Sequence, residues 1–283
     1  MSTLEAGERA WQEERLERVR RWEGRRSYED FIDEAAIEEL LVRHRSSEPK
    51  TVEDILEKAR QNATRGALLS PEDVAVLANV QDPQLWQAVF ETADWIKRTV
   101  YGNRIVLFAP LYVSSPCVNN CAYCGFRSGN RDVQRRTLDM AELRAELTAL
   151  VRAGHKRLIM VYGEHPASDC EYMCRTVEAA YQVKSGPGEI RRANVNAAPL
   201  FVEEYKAVRS VGIGTYQVFQ ETYHRPTYRK LHPAGTLKGE FDWRVFSLHR
   251  AQEAGIDDVA VGVLFGLYDW RFELLGLLYH AMA

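Results

Sequence analysis

The sequence predicts an α/β fold: a parallel sheet of about five β/α units, arranged as an incomplete TIM-type barrel and preceded by an N-terminal helical segment. From residue 104 onwards, five short apolar segments alternate with segments of helical periodicity. Each apolar segment is hydrophobic almost throughout, as in parallel strands covered by helices. Before residue 104, apolar residues recur at helical spacing. We therefore divide the chain into a helical extension that packs on the barrel, residues 1–103, and the barrel itself, residues 104–283.

The helical extension begins with a segment, residues 1–26, in which arginines and glutamates are interleaved. Transit peptides are poor in acidic residues, so this composition predicts a charged helix. Thr51 is predicted to cap the start of a later helix, with Asp54 where a capping-box acid would stand. Ser70 and Asp82 each precede a proline. Proline favours the first position of a helix, so both residues are predicted N-caps.

The predicted barrel follows in five β/α units. Its strands are expected at residues 105–108 continuing through 111–113, then at 157–162, 192–196, 215–220 and 258–264. Its helices are expected at about residues 139–153, 169–183, 202–210 and 242–254, with a last one from Trp270. A closed barrel needs eight strands, so we expect the sequence to be truncated at its C-terminal end.

Bulk composition excludes several function classes. The chain has 283 residues, 46% of them hydrophobic and 27% charged, as in a globular protein. A net charge of −3 gives no reason to expect binding to nucleic acid or to an anionic membrane. No apolar run reaches the length that spans a bilayer. Five cysteines are too few for a disulfide scaffold, so we expect reduced thiols and a cytoplasmic location.

Three cysteines lie in one short loop, Cys117, Cys121 and Cys124, directly after the first predicted strand. Three thiolates at this spacing can bind three irons of a [4Fe–4S] cluster and leave the fourth iron open to a small molecule, whereas a ferredoxin closes its cluster with four thiolates. A zinc site would need a fourth ligand, which finger-type spacing does not supply here. Buried unreactive thiols are the other alternative. That reading is favoured for Cys170 and Cys174, which share one helix face.

Other chemically distinctive residues follow the remaining strands. Gly163 and Glu164 end the second strand, and Glu221 follows the fourth, with Gln220, Tyr223 and His224 beside it. In a β/α barrel the functional residues lie at the carboxyl ends of the strands. Asn194 and Asn196 are two apart on the third strand and so face one side, the barrel interior. Buried amides are costly unless they are hydrogen-bonded, which favours a ligand or a polar network there. Glu221 could alternatively pair with Arg225 or Arg229.

The motif CVNNCAYCGFRSGN, residues 117–130, resembles the signature of the radical S-adenosylmethionine (SAM) enzymes. From about residue 31 onwards the chain is similar to the tyrosine lyases of that superfamily. Within them it is most similar to the [FeFe]-hydrogenase maturases of the HydG type, and more distantly to the 2-iminoacetate synthases of thiamine thiazole biosynthesis. The stretches that carry this resemblance are residues 117–130, 154–166, 188–199, 212–228 and 254–273.

The resemblance implies a [4Fe–4S] cluster with one open iron, bound by Cys117, Cys121 and Cys124, and SAM as the second cofactor. Tyr123 and the backbone at Gly125 and Phe126 would hold the adenine. Of the residues singled out above, Gly163 and Glu164 would bind the amino end of the SAM methionine. Asn194, Asn196 and Glu221 would complete the cofactor pocket, and Glu221, Tyr223 and His224 would be the catalytic residues.

The implied reaction is radical cleavage of the Cα–Cβ bond of tyrosine to p-cresol and dehydroglycine. In hydrogenase maturation, dehydroglycine is the source of carbon monoxide and cyanide. The implied partners are tyrosine as the small-molecule substrate, a reductant such as ferredoxin or flavodoxin, and other hydrogenase maturation proteins. Three alternatives stay open: the 2-iminoacetate synthase reaction, a non-catalytic iron–sulfur fragment, and tryptophan as the substrate.

Overall fold

A computed structural model describes residues 4–46 and 48–283. Its main sheet has five parallel strands in the order β1-β2-β5-β6-β7. A separate antiparallel hairpin consists of β3 and β4. The strands are β1 (Ala109–Ser114), β2 (Arg157–Tyr162), β3 (Lys184–Ser185), β4 (Gly188–Glu189), β5 (Arg192–Asn196), β6 (Tyr216–Gln217) and β7 (Val259–Ala260). The predicted α/β fold with an N-terminal helical segment is confirmed.

Twelve α-helices lie in the described residues. Five precede the sheet: α1 (Ala6–Glu23), α2 (Glu34–Arg43), α3 (Pro49–Arg65), α4 (Pro71–Ala78) and α5 (Pro83–Tyr101). Seven lie between or after the strands: α6 (Met140–Arg152), α7 (Cys170–Gln182), α8 (Val202–Ser210), α9 (Arg225–Leu231), α10 (Phe241–Val245), α11 (Ser247–Glu253) and α12 (Trp270–Met282). Short 3-10 turns add Pro166–Ser168 and Leu237–Gly239.

Side-chain caps fix most of the helix starts that the sequence predicts. Ser70 accepts a hydrogen bond from the backbone N–H of Asp73, whose carboxylate accepts from Ser70 N–H, so the pair forms a full capping box. Asp82 likewise caps α5. The predicted Thr51 cap is wrong, because α3 already begins at Pro49 and Thr51 lies inside its first turn. Pro49 occupies the first helical position, so α3 begins two residues before Thr51.

Several predicted strand and helix bounds also need correction. Residues 105–108 lie outside β1 and are exposed, Ile105 by 78% of its surface, so their apolar character is not a strand signal. The fourth and fifth strands shrink to two residues each, Tyr216–Gln217 and Val259–Ala260. The helix predicted at 242–254 is divided into α10 and α11. The hairpin β3–β4 and helix α9 were not anticipated.

The two faces of β5 differ in burial, as the alternation of side chains along a strand requires. Ala193 and Val195 are fully buried and belong to the apolar core between the sheet and its helices. Arg192, Asn194 and Asn196 lie on the opposite face and are half-buried. The prediction that the two asparagines share one face is therefore confirmed.

The chain separates into two compact units. The first comprises Met1–Tyr28, of which residues 4–28 are described, together with Leu107–Glu221 and Arg225–Gly262. It contains the sheet and the cysteine loop. The second comprises Glu29–Val106, Thr222–His224 and Val263–Ala283, and it is helical. The domain boundary at residues 103 and 104 stays a prediction. No helix in residues 4–46 and 48–283 has both the length and the apolar character needed to cross a membrane.

Candidate functional site

The cysteine loop is seated on the carboxyl end of β2. Gly163 N–H donates to the carbonyl of Ser114 at 2.7 Å, and Val118 N–H donates to the carbonyl of Glu164 at 2.8 Å. A Cβ atom on Gly163 would lie 2.1 Å from the backbone oxygen of Pro116, closer than any real contact. Only glycine allows this approach. Gly163 therefore acts here by letting the loop pack directly against the strand end.

Cys117, Cys121 and Cys124 are free thiols in this loop, Cys121 buried and the other two half-buried. Burial raises the pKa of the Cys121 thiol to about 11, although the ammonium of Lys238 opposes the shift. Burial, and then the Glu164 carboxylate, raise the pKa of Cys117. In the described residues, no three His, Cys, Asp or Glu side chains are placed to hold a single metal ion. A cubane cluster spreads its thiolates over separate irons and does not require them to meet at one point.

The donor set fits an iron–sulfur cluster with three protein ligands. Three cysteine thiols occupy one loop, and thiolate is the protein ligand that such clusters use. Asn119 places its side-chain nitrogen 3.7 Å from the Cys117 sulfur. Hydrogen bonds to the sulfurs are one of the means by which a protein adjusts such a cluster.

Glu164 is a half-buried residue next to this loop. Asn119 donates from Nδ2 to Glu164 Oε2 at 2.5 Å, and its Oδ1 accepts from the backbone N–H of Lys238 at 2.9 Å. Burial raises the pKa of Glu164, while Asn119 and the cations of Arg15 and Arg244 partly oppose the shift. A buried carboxylate whose pKa is raised still lacks part of the compensation that a close cation would provide. A bound ammonium group would supply it.

Glu221 lies four residues after β6, and its backbone φ is 73°. It is the only described residue other than glycine with a positive φ. Lys238 Nζ donates to its Oε1 at 2.7 Å, and Arg244 Nη2 lies 3.7 Å from the same oxygen. Burial would raise the pKa of Glu221, but these two cations outweigh burial and lower it. The sequence offered Arg225 or Arg229 as partners, whereas the observed cations come from farther along the chain.

Tyr123, the aromatic residue between the last two cysteines, is held by His232. The Tyr123 hydroxyl lies 2.8 Å from His232 Nε2, and His232 Nδ1 lies 2.9 Å from the carbonyl oxygen of Tyr228. A carbonyl can only accept, which assigns the imidazole hydrogen to Nδ1. Burial, with Lys238 and Arg244, lowers the pKa of His232 to about 3, so the ring is neutral. Tyr123 therefore donates its hydroxyl hydrogen to His232.

We expect His232→Leu to destabilise the protein by about 1–3 kcal/mol, since it leaves the largely buried Tyr123 hydroxyl without an acceptor. The double variant His232→Leu with Tyr123→Phe should recover much of this loss, because neither polar partner is then left alone. Urea unfolding of the wild type, both single variants and the double variant measures the coupling. Additive losses would show that the two side chains do not depend on each other.

The remaining predicted cofactor residues make internal contacts. Asn194 Oδ1 accepts from the backbone N–H of Thr215 at 2.9 Å. Asn130 Nδ2 donates to the carbonyl of Gly125 at 2.9 Å, and the ring of Phe126 packs edge-on against Tyr112. Asn196 lies on the same face of β5 as Asn194 and is half-buried. Their roles toward a cofactor stay predictions.

Tyr223 and His224 belong to the second unit. Tyr223 is fully buried; its hydroxyl lies 2.7 Å from His280 Nδ1, and its backbone N–H donates to Glu273 Oε2 at 2.7 Å. His224 stacks on Tyr268 with 3.7 Å between ring centroids. These contacts give both side chains structural roles within the unit. Their catalytic role stays a prediction.

Sequence reasoning missed four residues that surround the cysteine loop: Asn119, His232, Lys238 and Arg244. His232 and Lys238 lie in a stretch interpreted as a polar loop up to residue 241, and Arg244 lies in the helix predicted at 242–254. One signal was available there, because Arg225-Pro226 resembles a helix start. The pairing of these residues with the loop is long-range and has no sequence signature.

The fold and the loop together define a class of protein: a parallel β/α protein whose first strand leads into a loop of three cysteines at the carboxyl rim. The chain belongs to the radical SAM superfamily, whose family model matches residues 111–273. Membership rests on more than half of the chain, and it places the protein in a superfamily of enzymes.

Comparison with individual proteins shows which members of the superfamily the chain is similar to. The chain is similar to a crystal structure of HydG, a maturase of the [FeFe]-hydrogenase, with 46% identity and a TM-score of 0.86 over 90% of this chain and 55% of that one. It is similar to HydG from Carboxydothermus hydrogenoformans, with 37% identity and a TM-score of 0.72 over 87% of this chain and 58% of that one. It is 32% identical to 2-iminoacetate synthase from Salmonella typhimurium over 79% of this chain and 56% of the synthase. The chain thus spans little more than half the length of these relatives.

Proposed function

We propose that the protein is a radical SAM lyase of the HydG type, which cleaves the Cα–Cβ bond of tyrosine to p-cresol and dehydroglycine. The observation that carries this proposal is the three-cysteine loop seated beside the half-buried Glu164, in a chain 46% identical to a HydG structure. In this proposal the reaction belongs to hydrogenase maturation, where dehydroglycine is the precursor of carbon monoxide and cyanide.

Cys117, Cys121 and Cys124 would hold a [4Fe–4S] cluster with one open iron, at which SAM would bind through its amino and carboxylate groups. When bound, the reduced cluster would give one electron to SAM, releasing methionine and a 5′-deoxyadenosyl radical that takes a hydrogen atom from the substrate amino group. The protein residues provide the charges around them. Glu164, whose pKa burial raises, is suited to accept a hydrogen bond from an N–H of the SAM amino group.

The other residues of the rim would orient the cofactor. The half-buried Lys238 and the buried Arg244 place two cations beside Glu221, so an additional carboxylate could be accommodated there without leaving a charge unpaired. Glu221 could accept from the ribose hydroxyls. Tyr123, fixed by His232, would pack on the adenine together with the backbone at Gly125 and Phe126, and Asn194 and Asn196 would complete the pocket. Tyr223 and His224 are proposed as catalytic residues, and the contacts described above support this role least.

The proposed partners follow from the reaction. Tyrosine is the small-molecule substrate, and a ferredoxin or flavodoxin is the reductant. Other hydrogenase maturation proteins would receive the products. Reduced thiols and an iron–sulfur cluster suit a reducing compartment such as the cytoplasm.

A second candidate is the 2-iminoacetate synthase reaction of thiamine thiazole biosynthesis. The 32% identity to two bacterial 2-iminoacetate synthases over 226 residues favours it. Both candidates release p-cresol from tyrosine and differ in the fate of dehydroglycine.

The proposal is tested by anaerobic reconstitution of the chain with iron and sulfide, followed by SAM, dithionite and tyrosine. We expect 5′-deoxyadenosine and p-cresol to form together and in step. Tryptophan in place of tyrosine is the control and should give no indole-derived product. A cluster that forms without SAM cleavage would favour a non-catalytic iron–sulfur protein. Cyanide or carbon monoxide as the second product would indicate the maturase reaction, whereas glyoxylate alone is compatible with either candidate.

A further inference from the structure

A cavity of about 610 Å³ lies at the C-terminal end of α1, within the first unit. Four arginines line it, Arg18, Arg21, Arg25 and Arg26, together with the aromatic rings of Trp22 and Phe201. Neither the cluster site nor the proposed reaction uses any of these residues. Arginine and aromatic side chains are the types enriched at the centres of protein interfaces.

The cavity has an excess of positive charge. Arg18 pairs with Glu203 at 2.5 Å and Arg26 pairs with Asp242 at 3.0 Å, whereas Arg21 and Arg25 form no ion pair with any described residue. Arg26 also keeps one buried guanidinium nitrogen, Nη1, without a hydrogen-bond acceptor.

One acidic side chain lines the described part of the cavity, Glu253, and it already accepts a hydrogen bond from the Tyr28 hydroxyl at 2.6 Å. Its single negative charge is fewer than the two positive charges of Arg21 and Arg25. The occupant that the charges favour is an acidic surface, because complementary charge both steers association and fixes the register of the partner.

The aromatic residues that line this cavity pack into a buried cluster that includes one residue of the cysteine loop. Trp22 and Phe201 both contact Trp243, with ring centroids 5.2 Å and 4.6 Å apart. The same buried cluster contains Val118, the residue that follows Cys117. The aromatic side chains that line the cavity thus belong to the same packed group as a residue adjacent to a predicted cluster ligand.

We propose that this cavity is the docking site for a small acidic electron-transfer protein, which passes one electron to the cysteine loop through the Trp22–Trp243 contact. In this step the donor loses one electron and the iron–sulfur cluster gains one, with no other reactant. The proposal rests on the proposed function in one respect, that the loop holds the cluster. It adds where the reductant binds.

The test is the double variant Arg21→Glu with Arg25→Glu. Its matched control, Arg20→Glu with Lys206→Glu, changes the net charge equally. Both control positions are exposed and do not line the cavity, and Arg20 lies in the same last turn of α1. The first readout is the binding of a flavodoxin to the full chain without a cluster, by calorimetry at low and at high salt. We expect the double variant to weaken binding at least tenfold relative to the control, with less dependence on salt.

The second readout is the rate at which reduced flavodoxin reduces the reconstituted cluster, followed by stopped-flow absorbance. We expect the double variant to lower this rate at least tenfold while leaving reduction by dithionite unchanged. Equal binding and equal rates in the double variant and its control would overturn the docking site and leave the proposed function intact. If dithionite reduces no centre in the wild type, the proposed function fails, and the binding readout alone still decides the docking site.

Charge reversal near the end of α1 could impair folding, which the urea midpoints of all the variants will show. Should the double variant unfold, Arg21→Gln with Arg25→Gln replaces it, since these substitutions remove the charges without adding like charges. The expected direction is the same with a smaller factor. Unchanged flavodoxin binding in this variant also overturns the proposal.

Discussion

Replacement of Cys124 by alanine should abolish iron–sulfur cluster assembly and reduce the cleavage of SAM to background. The three loop cysteines are the only thiols in the chain besides Cys170 and Cys174, and a cube held by two thiolates has no stable third anchor. Iron and sulfide analysis after anaerobic reconstitution, with the EPR spectrum of the reduced protein, measures the loss directly. Formation of 5′-deoxyadenosine measures its consequence.

The matched control is Cys174→Ala, which removes a half-buried thiol from helix α7. It should retain the full iron content, because Cys174 and Cys170 pack against the apolar core. Full iron in the Cys124 variant, together with iron loss in the Cys174 variant, would place the ligands on α7 and overturn the site described here.

The second large effect is expected from Gly163→Ala, which should destabilise the protein by about 3 kcal/mol. The new methyl group would lie 2.1 Å from the carbonyl oxygen of Pro116, a backbone atom that cannot rotate away. Relief requires the cysteine loop to move off the end of β2, which breaks the hydrogen bond from Val118 to Glu164. Urea unfolding measures the stability, and iron content after reconstitution reports on the loop.

Gly125→Ala is the control for this variant, since a Cβ there meets no atom within 4 Å. Its stability should stay within about 0.5 kcal/mol of the wild type, as for other substitutions without new contacts. If Gly163→Ala were as stable as Gly125→Ala, the close approach of loop and strand would not exist in solution.

The sequence predicted the bounds of the middle strands accurately and those of the last two strands inaccurately. The strands at 157–162 and 192–196 and the helix at 202–210 were predicted to the residue, because each shows the residue periodicity of its element between clear ends. The apolar run at 105–108 was misread, since a short hydrophobic run is ambiguous without knowledge of its neighbours. Strand pairing ended after two residues in β6 and β7, and pairing is a tertiary property that periodicity does not contain.

The residues of the candidate site likewise divide into those that the local sequence predicted and those that it did not. The cysteines, Glu164 and Glu221 stand at strand ends or in a spaced motif, so local sequence was sufficient to find them. Lys238 and Arg244 were missed because their contacts with Glu221 depend on how a long connection folds back over the rim. His232 was missed for the same reason, being more than one hundred positions from the tyrosine it holds.

Glu221 adopts the left-handed backbone conformation that glycine adopts with least strain. For a residue with a side chain this conformation costs about 1–3 kcal/mol, and it persists only where the surroundings enforce it. Here two cations, Lys238 and Arg244, hold the Glu221 carboxylate through its Oε1 atom. Position 221 thus has an acidic residue although glycine would adopt this backbone conformation with less strain. A requirement for the carboxylate itself is the simplest reason.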